Sequence, residues 1–492
     1  MANRLRFMPL SASFSSRSVF VAALRPLALY ALLLSAGLHQ AVAEQPAPGL
    51  SFSQARQTLM ERSDQLAASA KAVESARLRR QGNEGLGGPQ VMLSGRGYHY
   101  SMNADISLDP ARNALDGMGG MLPPPLGQAV PSLPYFPDNY DLQHKKTTGS
   151  ASMLMLWPVY MGGFSNAVRQ GLDAATDEAQ SEADGSNYSL QTQLVQRYFG
   201  AQLAERAARL REDAVQGIRE HDTAAQSMLK AGVISQLERL QAAAALADAR
   251  QQASKARDDA HLAATALARS LKEHQPLRPS TPLFVNSKPL PPLQDFITAA
   301  EAGHPALGKV AAKQRQAESM HDAQEALRKP QLLAFGSRDL NTSGKANWVA
   351  GLTVRWTLWS STDRDTLAAA SQSKIDQVRL LDAQARTDIG LLVEKNWLAV
   401  SQAQSQYQAQ QAQEDLAREL LRLRKAALKE GTGTTLELID AQLNLAKVLT
   451  QRAEQANQYV QALAALLESS GRSQEFENYM AQADIQISSS VP

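Results

Sequence analysis

Two carboxylates stand out by type and spacing. In the stretch KEGTGTTLELIDAQ (residues 429–442), Glu437 and Asp440 follow two glycines, Gly431 and Gly433. Three residues apart on a helix, they share one face. On the local sequence alone they read as solvated acids in a first helical turn, where the helix dipole favours negative charge. Other chemistry is thin. The eight histidines are scattered, with no HxxxH pair, so no helical metal site is expected. GLGG at residues 85–88 runs into Pro89 and a strand, which is the wrong setting for a phosphate loop. There is no cysteine, which excludes disulfides and thiolate metal sites. No nucleophile–base pattern appears. The expectation is a protein that is not an enzyme and that holds no metal and no cofactor.

The elements that must position those acids are helices. Of the 492 residues, 44% are hydrophobic but only 5% aromatic. Alanine, glutamine, glutamate, arginine and leucine dominate, a composition suited to long, closely packed helices rather than thick cores. At the N-terminus, Arg4, Arg6, Arg17 and Arg25 precede the apolar run Leu27 to Leu38 and then Ala41-Val42-Ala43. This is the order of a signal peptide, residues 1–43, cleaved after Ala43. The apolar run is shorter than the ~20 residues a spanning helix needs. Its removal takes away four arginines and no acid, so the formal charge passes from +2 to −2. A near-neutral chain offers no basic bulk for nucleic acid.

The chain is internally duplicated. KAGVISQLERLQAAAALA (230–247) and KEGTGTTLELIDAQLNLA (429–446) agree at seven of eighteen positions, 199 residues apart. The same offset pairs Trp157 with Trp356 and Tyr198 with Trp397. Equal, gapless spacing is what rigid helices demand, since one inserted residue turns a face by ~100°. Upstream, Pro89-Gln90 pairs with Pro330-Gln331 at an offset of 241. The first half therefore carries about 42 extra residues, rich in Pro and Gly, read as an exposed loop over 103–148.

The expected order is a first repeat over 44–272, with helix 51–81, strands 90–102 and 149–160, and helices 165–229 and 234–272. A connecting segment over 273–292 crosses outside the bundle. The second repeat, 293–471, has helix 293–328, strands 331–341 and 347–359, and helices 362–429 and 435–471. A tail covers 472–492. A helix of ~65 residues is close to 100 Å long and is stable only by lateral coiled-coil packing.

The strands are long enough to cross a bilayer if tilted. Trp348, Ala350, Leu352, Val354, Trp356 and Leu358 alternate onto one face. Trp157, Tyr160, Trp348, Trp356 and Trp359, with Tyr98 and Tyr100, suggest an aromatic girdle. An open sheet cannot span lipid, and about eight strands are needed to close a barrel. Spanning therefore requires several chains to share one barrel. The competing reading is a soluble periplasmic coiled-coil adaptor or structural rod capped by a small sheet.

These residues resemble the TolC-type outer-membrane efflux proteins. The resemblance rests on WPVYMGG (Trp157, Pro158, Tyr160, Gly162, Gly163), the turn motifs at Gly232 and Gly431, and the duplication. It implies a mainly α chain with a transmembrane β-barrel, assembled as a homotrimer with a shared twelve-stranded barrel and a tapered periplasmic α-barrel. It implies a passive exit duct in the outer-membrane lipid, for tripartite efflux or type I secretion. A membrane fusion (adaptor) protein and an inner-membrane pump, of resistance-nodulation-division, ABC or major-facilitator type, would dock at the hairpin tips. Lys230, Gly232, Glu238, Lys429, Gly431 and Gly433 would form those tips. Glu437 and Asp440 would form acidic rings at the entrance. Gln241 stands where the first hairpin would carry its second acid. Gly433 replaces the latch arginine of the family's founding member, leaving that role to a contact from Lys429 or Arg424.

Overall fold

The computed structural model describes residues 49–119, 139–340 and 347–487. The signal peptide expected over 1–43, the middle of the Pro-rich loop at 120–138 and the end of the tail lie outside the described residues.

Two helices dominate: α4 (Phe164–Lys230, 67 residues) and α8 (Arg364–Lys429, 66 residues), each about 100 Å long at ~1.5 Å per residue. Each is covered along its length by shorter partners. On the C-terminal half of α4 lies α5 (Gln236–Ser270), joined by Arg239–Asp222 at 2.8 Å and Arg257–Glu212 at 3.5 Å. On its N-terminal half lie α7 (Pro305–Ala326), through Lys309–Glu182 and Arg315–Asp177, and α2 (Asp64–Gly82), through Arg80–Asp173. In the second half, α9 (Thr435–Ser469) covers the C-terminal part of α8, while α7 and α6 (Leu293–Gly303) cover its N-terminal part. Between the helices the buried residues are small: Ala242, Ala249, Ala253, Ala256 and Ala260 line one face of α5, letting the backbones approach closely.

The helices expected over 51–81 and 293–328 are each two. Ser63 ends α1 (Phe52–Arg62) and caps α2, accepting from the Leu66 amide. Pro305 ends α6 at His304, because proline lacks an amide hydrogen and disfavours helical geometry in the residue before it.

The core sits at mid-height, where an aromatic cluster joins Phe52, Tyr198, Phe199, Phe284, Tyr459 and Phe476. A belt built from the connecting segment wraps it. The buried Tyr198 hydroxyl donates to the Leu50 carbonyl at 2.6 Å and accepts from the Ser280 and Thr281 amides. Its repeat counterpart Trp397 donates to the Pro291 carbonyl at 3.0 Å, and Gln404 donates to the carbonyls of Asn286 and Lys288. The expected tail folds into this belt. α10 (Phe476–Ala481) buries Phe476, and β6 (Ile485–Ile487) pairs antiparallel with β3 (Leu283–Val285).

A four-stranded antiparallel sheet has the order β1–β2–β4–β5. Its first hairpin is longer than expected. β1 (Gln90–Ser107) and β2 (Asn139–Tyr160) stay in register out to Ser107 opposite Asn139, and α3 (Asp109–Gly119) follows. Much of the expected loop over 103–148 is therefore ladder. The polar run around Asn103 and Asp105 hides this from a hydropathy reading, because backbone pairing needs no apolar side chain. The last strand is shorter than expected. β4 (Gln331–Asp339) and β5 (Trp348–Arg355) pair from Gln331–Arg355 to Arg338–Trp348. The next residue, Trp356, would face Pro330, which has no amide to donate. The ladder stops there, and Trp356 and Trp359 lie beyond the strand.

Candidate functional site

The two hairpin tips are built alike. α4 runs to Lys230, then Gly232 takes φ +75°, its amide bonding to the Leu229 carbonyl and that of Val233 to Met228. α8 runs to Lys429, then Gly431 takes φ +75°, and the Thr432 and Gly433 amides both reach the Ala427 carbonyl. Only glycine adopts this left-handed cap without a Cβ penalty. Each returning helix opens with a capping box. Ser235 and Glu238 exchange side-chain-to-backbone bonds at the start of α5, and Thr434 and Glu437 do so at the start of α9.

The candidate acids therefore have different surroundings. Glu437 is half-buried, bonded to its own cap and paired with Arg424 at 3.0 Å. Asp440, one turn on, is exposed. Gly433 sits in a tight turn: a Cβ there would lie 3.0 Å from the Ala427 Cβ, so any side chain would push that neighbour back by a few tenths of an ångström. Of the two contacts expected to replace the latch arginine, the one present is Arg424–Glu437, across the hairpin.

The hairpins differ one turn deeper. Asp222 and Arg239 form a largely buried ion pair in the first. At the positions 199 residues on, the second has Leu421 and Leu438, packed with Ala441. Sequence reading missed this exchange, although the repeat offset contained it.

Higher up, Glu414 is buried on α8 between Arg418 at 2.8 Å and Arg452 of α9, with Arg452 stacked over Tyr407 at 4.8 Å. Burial pushes the Glu414 carboxyl up, but the hydrogen bonds from Arg452 and Arg418 outweigh it and hold the group below the usual carboxylate range. Among the described residues no group of three His, Asp or Glu side chains is placed to hold a metal.

At the other end, the register sorts the sheet into two faces. Val91, Leu93, Met153, Met155, Trp157, Ala334, Ala350, Leu352, Val354 and Trp348 share one. It is largely apolar and exposed, Leu352 by 70%, with Arg338 at its far end opposite Met153 and Trp348. Gln331, Ser337, Thr353 and Arg355 lie on the other, with Phe335 stacked on Gly351. Tyr98 and Tyr100 fall on this second face, since Tyr98 opposes Thr148, an odd number of residues from Trp157. They are not part of one girdle with the tryptophans. Trp348 and Trp356 are eight residues apart on β5 and just beyond it, about 26 Å along the strand at ~3.3 Å each. With the usual tilt this is ~20 Å of height, near the ~25 Å apolar band of an outer-membrane barrel.

The WPVYMGG motif joins the two ends. Pro158 sits where β1 pairing has ended, at a register shift between Pro158 and Tyr160, so its missing amide breaks no ladder bond. Gly162, at φ +67°, packs against the end of α7; a Cβ there would lie 2.2 Å from the Ala326 carbonyl oxygen. Gly163 then starts α4.

Long duplicated hairpins fused to a sheet with one apolar face define a class: the outer-membrane channel with a periplasmic helical extension. A family model described as outer membrane efflux protein matches residues 55–271 and 296–472. The chain belongs to the outer membrane efflux protein family. Solved structures agree in fold. CusC is 14% identical with a TM-score of 0.70, over 86% of this chain and 93% of its own. The Campylobacter jejuni outer membrane channel CmeC is 12% identical, TM-score 0.68, over 88% and 90%. The Neisseria gonorrhoeae outer membrane channel MtrE, solved in an open state, is 15% identical, TM-score 0.65, over 86% and 89%. No curated protein sequence matches the chain.

Proposed function

We propose that this protein is the passive exit duct of a tripartite efflux or type I secretion system, working as a homotrimer. The observation that carries the reading is the open sheet with an exposed apolar band on one face and, among the described residues, two unpaired edges, β1 and β5. Alone it would leave backbone groups unsatisfied in lipid. Three copies of four strands make twelve, within the even-numbered range of such barrels. A second observation supports shared assembly. Leu380, Leu391, Leu398, Leu416 and Leu423 of α8 are all exposed, and at ~100° per residue they fall within about 20° of one line. A second copy is the natural cover for that seam.

In this assembly the tips carrying Gly232 and Gly431 close the periplasmic end, where a membrane fusion protein and an inner-membrane pump dock. Glu437 and Asp440 form the acidic rings that narrow the entrance and favour cations. Arg424 holds Glu437 and replaces the latch that Gly433 cannot provide. The test is single-channel recording of the purified protein in planar bilayers. Small, stable, cation-preferring steps are expected, with weaker cation preference for Glu437→Gln/Asp440→Asn. A protein soluble without detergent and silent in bilayers would overturn the duct and favour the adaptor.

A further inference from the structure

Where the sheet meets the helices, the end of α7, the start of β4, the end of β5 and the start of α8 border an open cavity of about 480 Å³, a size common for small-molecule sites. Its walls carry Arg328, Lys329, Arg355 and Arg364 against a single acid, Glu325. Arg328 is neutralised on the spot, by Glu325 at 3.1 Å and by Asp365. The other three have no acid within ion-pair distance among the described residues. Arg355 donates to the Gln331 side-chain oxygen at 2.9 Å, and Arg364 to the Thr357 carbonyl at 2.9 Å. Both acceptors are neutral, and a guanidinium has five N–H donors, so most of this capacity is unused. Among the described residues the Lys329 ammonium has no polar partner. Leu327 and Leu367 give the same cavity an apolar wall.

The arrangement is held in place. Gly162 lets the turn at Ala326 and Lys329 close in, and the Trp356 indole donates to the Arg328 carbonyl at 3.1 Å. Three cations gathered without counter-charge repel one another, and a bound anion relieves that repulsion.

We propose that this cavity binds an anionic amphiphile. Its phosphate, sulfate or carboxylate head lies among Lys329, Arg355 and Arg364, and its apolar part lies on Leu327 and Leu367. Such a group has two sources: the headgroup of an anionic phospholipid beside the barrel, or an organic anion in passage. Arg355 and Gln331 are on the sheet face opposite Trp348 and Leu352, which favours the solute.

The experiment titrates 1-naphthyl phosphate into the full-length protein in neutral detergent, read by calorimetry. Saturable binding is expected. It should weaken about tenfold or more in Lys329→Gln/Arg355→Gln, and also as salt rises from about 10 mM to about 1 M. Arg338→Gln, at the far end of β4 on the other face, should bind as wild type. Lys329→Gln alone, which breaks no contact in the fold, should weaken binding in the same direction and guards against a misfolded double variant. In a parallel arm, nanodiscs of mixed phosphatidylglycerol and phosphatidylcholine are scored for lipid retained by the protein. Phosphatidylglycerol enrichment that disappears in the Lys329 and Arg355 variants assigns the site to a headgroup. Phosphate binding without that enrichment assigns it to a solute. Absence of both, or variants that bind like wild type, overturns the proposal. No conductance enters this readout, so failure of the duct reading and failure of this site are separately visible.

Discussion

At the scale of single residues, the two acids of the second hairpin tip have different surroundings. Glu437 serves its cap and Arg424, while Asp440 is exposed. In the proposed duct, Arg424→Gln should lengthen open times in bilayer recordings and leave the fold intact, because the capping box survives it. Unchanged open times would remove Arg424 from the latch. Glu414 answers to pH instead. Its carboxyl is held below the usual range, so the stability it contributes is present above the unfolded-state value near 4.5 and is lost as pH falls through the lower folded value. The thermal midpoint of the wild type should drop as pH is lowered below that unfolded value. Glu414→Gln should cost about 2–3 kcal/mol at neutral pH, since it leaves Arg452 and Arg418 facing each other, and should flatten the acid limb. A variant with the same acid limb as wild type would contradict this.

At the scale of elements, the long helices were legible because a rigid helix writes its period into the sequence, and the duplication writes it twice. The strand ends were not legible. Where β5 stops depends on Pro330 lying across from Trp356, a fact of register that no single strand contains. β6 was invisible for a similar reason: Ile485, Gln486 and Ile487 form a strand only because β3 offers an edge 200 residues upstream. The pair Glu437 and Asp440 stood out by spacing, but the ion pair of Glu437 with Arg424 across the hairpin did not, since only the fold brings those two turns together. The basic cavity escaped because Arg355 and Arg364 look like ordinary end-of-element charges until the fold brings them together. The two faces of the sheet give a sharp contrast. Leu352→Arg, on the apolar face, should cost about 2–4 kcal/mol of insertion and lower the yield of detergent-extracted assembled protein. Thr353→Arg, its neighbour on the other face, should assemble normally. Equal yields would mean that the sheet does not meet lipid.

At the scale of the whole molecule, one chain has a four-stranded sheet with two raw edges and a line of exposed leucines along α8. Native mass spectrometry from detergent should find three protein copies, with neither free monomer nor dimer as the main species. A dominant monomer would leave the apolar face without a partner. One property of the hairpins reaches beyond a single molecule. Helices α5 and α9 are 35 residues each, and α4 and α8 differ by one. A descendant that gained two turns in one hairpin would have one tip standing about 10 Å proud of its twin, while a gain of one residue would swing every buried alanine off its seam. Depth in such a lineage cannot drift by small independent steps. It is inherited in whole-turn increments, and both halves of the gene have to change together.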